Sequence, residues 1–213
     1  MAYTDWVFNR STTDIIPSLD IFSPIADTAS LKILHPTGSD LHLSAYNTTY
    51  TRGVIKGKIR TLLQPVDLTG AGTFSIGMYF MGSDDDVINT GDCYGAFYLA
   101  DAGGASTRFA IRKFTGGFSS SSNLYLGASV GLVSEGTITA MEVEWDATSG
   151  TEVDITLRQI IGDTDFGNMI TETSLTDSSS PFLTTVSEGL ASFNEPSSST
   201  EWNLDNTSIF TIL

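Results

Sequence analysis

The stretch Thr139-Ala140-Met141-Glu142-Val143-Glu144-Trp145-Asp146 decides the fold class, together with Glu152-Val153-Asp154-Ile155-Thr156-Leu157 just after it. In the first half Met141, Val143 and Trp145 alternate with Glu142, Glu144 and Asp146. In the second, Val153, Ile155 and Leu157 alternate with Glu152, Asp154 and Thr156. Side chains along a strand point to opposite faces in turn, so period-two alternation describes half-buried strands with one wet face. Thr148-Ser149-Gly150 supplies the turn that joins them.

The same period runs outward in both directions. Upstream, Val54, Lys56, Lys58 and Arg60 share one face of a strand and Ile55, Gly57 and Ile59 the other. Phe74, Ile76, Met78 and Phe80 alternate with Ser75, Gly77 and Tyr79, and Phe109 and Ile111 with Arg108 and Arg112. Turn signals such as Gly82-Ser83-Asp84-Asp85, Thr115-Gly116-Gly117 and Ser134-Glu135-Gly136 separate these runs at the spacing of a sandwich. A helix-period stretch is missing, and the best place for a helical turn is Asp163 to Asn168. The expectation is an all-β, two-sheet antiparallel jelly-roll sandwich in one domain, residues 1–213. Residues 1–30, with Pro17, Pro24 and weak alternation, are expected to form an N-terminal arm.

Composition narrows the function classes. The chain has 213 residues, with 10 Lys+Arg against 25 Asp+Glu and a net charge of −15, which excludes a phosphate-backbone binder and docking on anionic lipid. The single cysteine, Cys93, excludes an intramolecular disulfide framework and a cysteine-rich zinc site. Met1-Ala2-Tyr3-Thr4-Asp5-Trp6 has neither a basic region nor an apolar run, so a secretory signal is not expected.

Three blocks in fixed order carry a resemblance. Phe74–Phe80, Tyr94–Leu99 and Arg108–Lys113 form a meander. Thr139–Trp145 and Glu152–Leu157 pair as long strands, and Glu188-Gly189-Leu190-Ala191-Ser192-Phe193 with Trp202–Ile209 would close a sandwich. Over about residues 31–213 the chain resembles the laminin-G-like and concanavalin A-like lectin/glucanase jelly rolls. That resemblance implies the sandwich fold and admits enzymes, lectins and structural modules alike.

Glucanases of this kind carry Glu-x-Asp-x-Glu or Glu-x-Asp-x-x-Glu on one strand. Glu152 and Asp154 match the first two positions, but Thr156 and Leu157 stand where the acid should be. Neither a hydroxyl nor an alkyl group protonates a leaving oxygen, so catalysis is not expected. Glu142, Glu144 and Asp146 read as the solvent face of an amphipathic strand. Asp84, Asp85, Asp86 and Asp92 crowd one loop with Asn89, and oxygen-only donors in a loop are what Ca2+ takes; Ca2+ is the one cofactor the sequence suggests, against a plain solvated turn. His35 and His42 have no metal or triad spacing, and Cys93 reads as a buried, inert thiol.

Two sets of residues are candidates for binding. Tyr46, Tyr50 and Tyr125, with Phe118, lie near loops and would serve as a sugar platform or as protein-contact anchors. Lys56, Lys58 and Arg60 make the one basic stripe, which would meet an acidic surface of a neighbouring subunit or capsid, or simply blunt an edge strand. The signal-less, acidic, Ser/Thr/Gly-rich composition leads to the expectation of a non-enzymatic virion protein. It would be a capsid decoration or cement protein on a bacteriophage surface, homo-oligomeric and in contact with other virion proteins. The alternative is a carbohydrate-binding or receptor-binding domain that recognises a surface glycan.

Overall fold

A computed structural model describes residues 5–10, 16–20, 30–35, 41–49, 52–67, 74–100, 107–131, 134–194 and 200–212. In chain order the strands are β1 (Trp6–Arg10), β2 (Ile16–Asp20), β3 (Ser30–His35), β4 (Leu41–Asn47), β5 (Lys56–Asp67), β6 (Phe74–Gly82) and β7 (Cys93–Ala100). They continue with β8 (Thr107–Phe114), β9 (Ser121–Leu126), β10 (Thr139–Asp146), β11 (Val153–Ile161), β12 (Ile170–Asp177), β13 (Ser187–Asn194) and β14 (Thr200–Thr211). One 3-10 turn, Phe166–Asn168, falls inside the segment expected to be helical.

The strands form two seven-stranded sheets. The first runs β1-β4-β13-β6-β7-β8-β9 and the second β12-β11-β10-β5-β14-β3-β2. Trp6–Arg10 and Ile16–Asp20, both within the expected arm, are the outermost strands on corresponding sides of the two sheets.

The core lies between the sheets, where the alternation placed it. Phe80 and Tyr94 from the first sheet meet Trp145 from the second: the Phe80 ring stacks on Tyr94 at 5.5 Å and on Trp145 at 5.2 Å. Trp202 closes the other end of this seam with its edge toward Tyr98, at 5.9 Å. These rings are essentially inaccessible to water, and each contributes on the order of 2–3 kcal/mol of hydrophobic burial. The phase differs from expectation at one point. Val54 is buried and Ile55 exposed, because both precede β5 and the Trp145 indole N–H donates to the Val54 carbonyl at 2.8 Å, drawing that residue inward.

The first sheet also lacks the expected wet face over its centre. Tyr79, Phe97, Leu99 and Phe114 point away from the main core yet are buried, under Val87, Ile88 and Phe118. Two loops make this cover by bonding to each other. The Phe118 amide donates to the Ile88 carbonyl at 2.9 Å, and the Gly116 amide to Asp92 Oδ1 at 2.8 Å. Gly117 has a φ of +104°, and a Cβ there would lie 2.5 Å from the Ile88 carbonyl oxygen, so the junction requires glycine.

Candidate functional site

The outer face of the second sheet carries a charge ladder set by strand register. β10 lies between β5 and β11, with Asp146 opposite Lys56, Glu144 opposite Lys58 and Glu142 opposite Arg60. On its other side Glu142 is opposite Arg158. Lys56 Nζ is 3.0 Å from Asp146, and Lys58 Nζ is 3.4 Å from Glu142. Arg158 reaches Glu142 at 2.9 Å and Glu144 at 3.0 Å. The Thr148 hydroxyl and amide, and then Lys56, hold the Asp146 carboxyl down at about 2. The basic stripe therefore sits in the middle of its sheet, and both of its lysines are neutralised within the chain.

Arg60, the third member, departs from this pattern. The carboxylate opposite it is taken by Lys58 and Arg158, and among the described residues Arg60 makes no ion pair. Its guanidinium is stacked instead, 4.5 Å from the centre of the Phe166 ring and 5.0 Å from that of Phe210. Two local features bring these rings together. Gly162, at φ +84°, turns the chain out of β11. Asp165 then accepts the Gly167 amide at 2.8 Å, and Asp163 accepts the Asp165 amide at 2.9 Å and Asn168 Nδ2 at 2.8 Å, which folds the loop with Phe166 toward the sheet. On the other side, the pairing of β14 with β5 shifts between Asp205 and Ser208, so that Ser208 comes opposite Arg60. Thr61 pins this irregularity from beneath, bonding the Asp205 carbonyl at 3.1 Å and the Thr207 hydroxyl at 2.8 Å.

The result is an open pocket of about 370 Å³ lined by Arg60, Thr164, Asp165, Phe166, Gly167 and Ser208. Its lining is mainly polar, with hydroxyls, a carboxylate and a guanidinium beside the one Phe166 ring. The Thr164 and Ser208 hydroxyls make no bond to protein among the described residues. Of the pocket, the sequence pointed to Arg60 alone. Phe166 had a readable signal as a lone aromatic in a loop of Asp, Thr, Gly and Asn. Phe210 had one as an exposed ring on the wet face of a strand.

The remaining candidates are scattered. Tyr46 is on β4 and Tyr125 on β9, near opposite edges of the first sheet, while Tyr50 lies outside the described residues. The Tyr46 ring lies under the Arg52 guanidinium at 4.2 Å. Tyr125 donates to Glu172 at 2.7 Å; burial first, then that carboxylate, pushes its hydroxyl up to about 12. Phe118 is buried with its ring 6.0 Å from that of His42, which belongs to the first sheet, whereas His35 ends a strand of the second. Burial pushes the Cys93 thiol up, with help from Asp92 and Asp84.

The aspartates of the 83–92 loop face donors of the protein itself. Asp84 accepts the Thr90 hydroxyl at 3.0 Å, Asp86 accepts Asn89 Nδ2 at 2.9 Å, Asp92 accepts the Gly116 amide, and Asp85 pairs with Arg52. Among the described residues no group of three or more His, Cys, Asp or Glu side chains is arranged to hold a metal ion. Glu188, in the closing strand β13, carries no sequence mark of its burial. It is fully buried, it accepts the Gly53 amide at 3.1 Å, and burial pushes its carboxyl up to about 7. At the glucanase-like positions, Asp154 accepts the Thr176 hydroxyl and Thr156 bonds Ser174.

No family model and no curated protein matches the chain in sequence. Solved structures match it in fold. A legume lectin-like domain from Entamoeba histolytica superposes with a TM-score of 0.59 at 12% identity, over 99% of this chain and 91% of that one. The exoplasmic/lumenal domain of VIP36, in its Ca2+/Man3GlcNAc-bound form, gives 0.54 at 11% identity over 94% and 83%. A GH16 protein from Bacteroides ovatus, bound to a mixed-linkage glucan product, gives 0.55 at 11% identity over 98% and 96%. The fold is the concanavalin-like lectin/glucanase sandwich, shared by lectins and enzymes.

Proposed function

We propose that this protein is a non-catalytic carbohydrate-binding module that seats a sugar ring in the open pocket beside the stacked Phe166 and Arg60 side chains. The observation that carries the reading is the composition of that pocket. Thr164, Asp165, Ser208 and Arg60 offer donors and acceptors that match a sugar's hydroxyls, and the Phe166 ring adds a small apolar contact for a C–H face. Its volume suits one or two sugar residues. The fold relatives that bind glycans, VIP36 with Man3GlcNAc among them, are consistent with it. The virion-decoration reading rests on composition and on the stripe Lys56, Lys58 and Arg60, of which Lys56 and Lys58 are already paired within their own sheet.

The test is a glycan array followed by calorimetric titration of the best ligand. Binding by the wild-type chain and a loss of about tenfold or more in Phe166→Ala, equivalent to about 1.4 kcal/mol, are expected. Failure of the wild-type chain to bind any glycan would overturn the reading. So would Phe166→Ala binding that is unchanged in a variant of normal melting temperature.

A further inference from the structure

Resting on that reading, we propose that the sugar taken at this pocket bears a carboxylate, which the edge of the Arg60 guanidinium reads. The ring centres of Phe166 and Phe210 lie 4.5 and 5.0 Å from its central carbon, so the group packs against two aromatic rings. A guanidinium packed on aromatic rings keeps its in-plane N–H donors for polar partners, and those form a fork that matches a carboxylate in two parallel bonds.

The charge pattern of the surrounding sheet agrees. Lys56, Lys58 and Arg158 on the same face each have a carboxylate, at 3.0, 3.4 and 2.9 Å respectively. Arg60 has none among the described residues, although it lines an open pocket. A cation packed against aromatic rings and left without a counter-ion is incomplete, and a ligand anion in the pocket completes it. The nearby acids do not fill the role, because Asp165 is turned to the Gly167 amide and Asp163 to the Asp165 amide and Asn168. Asp165 instead helps set the ligand's orientation, with its carboxylate at the Arg60 edge and its hydroxyls toward Asp165, Thr164 and Ser208.

The chain's net charge of −15 gives this recognition a distinctive signature. A diffuse positive field is absent, so binding an acidic sugar depends on the one seated guanidinium. Its affinity should therefore change less than about threefold between roughly 0.02 and 0.2 M salt.

The experiment titrates four probes by calorimetry: the methyl glycoside of glucuronic acid, the methyl ester of that compound, methyl glucoside, and a sulfated glucose. The wild-type chain should bind the acid about tenfold or more tighter than the ester and the glucoside, and tighter than the sulfated sugar. Arg60→Gln should bring acid and ester level, and Arg60→Lys, which keeps the charge but lacks the fork, should lose most of the preference. Equal binding of acid and ester by the wild-type chain overturns the carboxylate and leaves the lectin reading in place. The sulfated sugar binding as tightly as the acid overturns it also, since the site would then read any anion. If none of the probes binds and the array is likewise blank, both proposals fall. Should Arg60→Gln not fold, the acid–ester comparison on the wild-type chain still decides.

Discussion

The Tyr94 hydroxyl donates to Asp177 Oδ2 at 2.7 Å, tying β7 of the first sheet to the end of β12 in the second. Lys113 reaches the same oxygen at 2.7 Å, and the Ser179 amide reaches Oδ1 at 3.0 Å. Burial works against the Asp177 charge, but Lys113, Tyr94 and Ser179 outweigh it and hold its carboxyl below the usual range. Replacing Asp177 by Asn leaves the largely buried Lys113 ammonium without a counter-ion, at a cost of about 3 kcal/mol in urea unfolding. A depressed carboxyl stabilises the fold above its unfolded value, near 4, and loses that contribution as pH falls through its folded value. The wild-type advantage should thus be complete above about pH 5 and shrink progressively below about pH 4. An advantage of the same size at both ends would refute the ion-pair account.

Glu188 has the opposite sign. Its carboxyl is raised to about 7 by burial, so the folded chain keeps a proton there that the unfolded chain releases near pH 4.5. That mismatch is absent at pH 4, grows from pH 4.5 to 7, and then levels off. Glu188→Gln keeps an oxygen for the Gly53 amide and cannot ionise. The variant should match the wild type at pH 4 and exceed it at pH 8, with a ceiling of about 3 kcal/mol. Thermal melts at the two pH values measure this; a variant less stable at pH 8 would count against it.

The charge ladder makes a graded prediction. The Glu142 carboxylate is almost covered, and Arg158 is its nearer partner at 2.9 Å. Arg158→Met should cost about 1–2 kcal/mol, because it leaves a buried charge with Lys58 alone. Lys56 and Asp146 are each about one-third exposed, so Lys56→Ala should change stability by about 0.5 kcal/mol or less. Equal losses from the two substitutions, measured by urea unfolding, would show that burial of Glu142 does not govern the ladder.

Alternation made the strands legible. Val153, Ile155 and Leu157 are buried as the pattern demands, and the Trp145 ring lies in the core. Period two reports which face a residue takes, but not what lies over that face. Cys93, Tyr94, Phe97, Tyr98 and Leu99 are apolar on both sides of β7, a sign of two-sided burial, yet the cover comes from Val87, Ile88 and Phe118 in polar loops. The pocket was less legible for a related reason. Arg60, Phe166 and Ser208 meet only through the pairing of β5 with β14 and the folding of one short loop, and neither long-range pairing nor loop closure leaves a periodic mark.

The place of β14 bears on how the molecule is made. It fills the gap between β3 and β5 in the second sheet, and the bond from Thr61 to the Asp205 carbonyl joins positions 144 residues apart. During synthesis the early strands emerge from the ribosome long before their central neighbour exists. Until residues 200–211 follow, β5 and β3 offer raw edges to any passing strand, including those of sister chains on the same messenger. The second sheet closes only through contacts between distant parts of the chain, the kind whose loop-closure cost is met before any pairing rewards it.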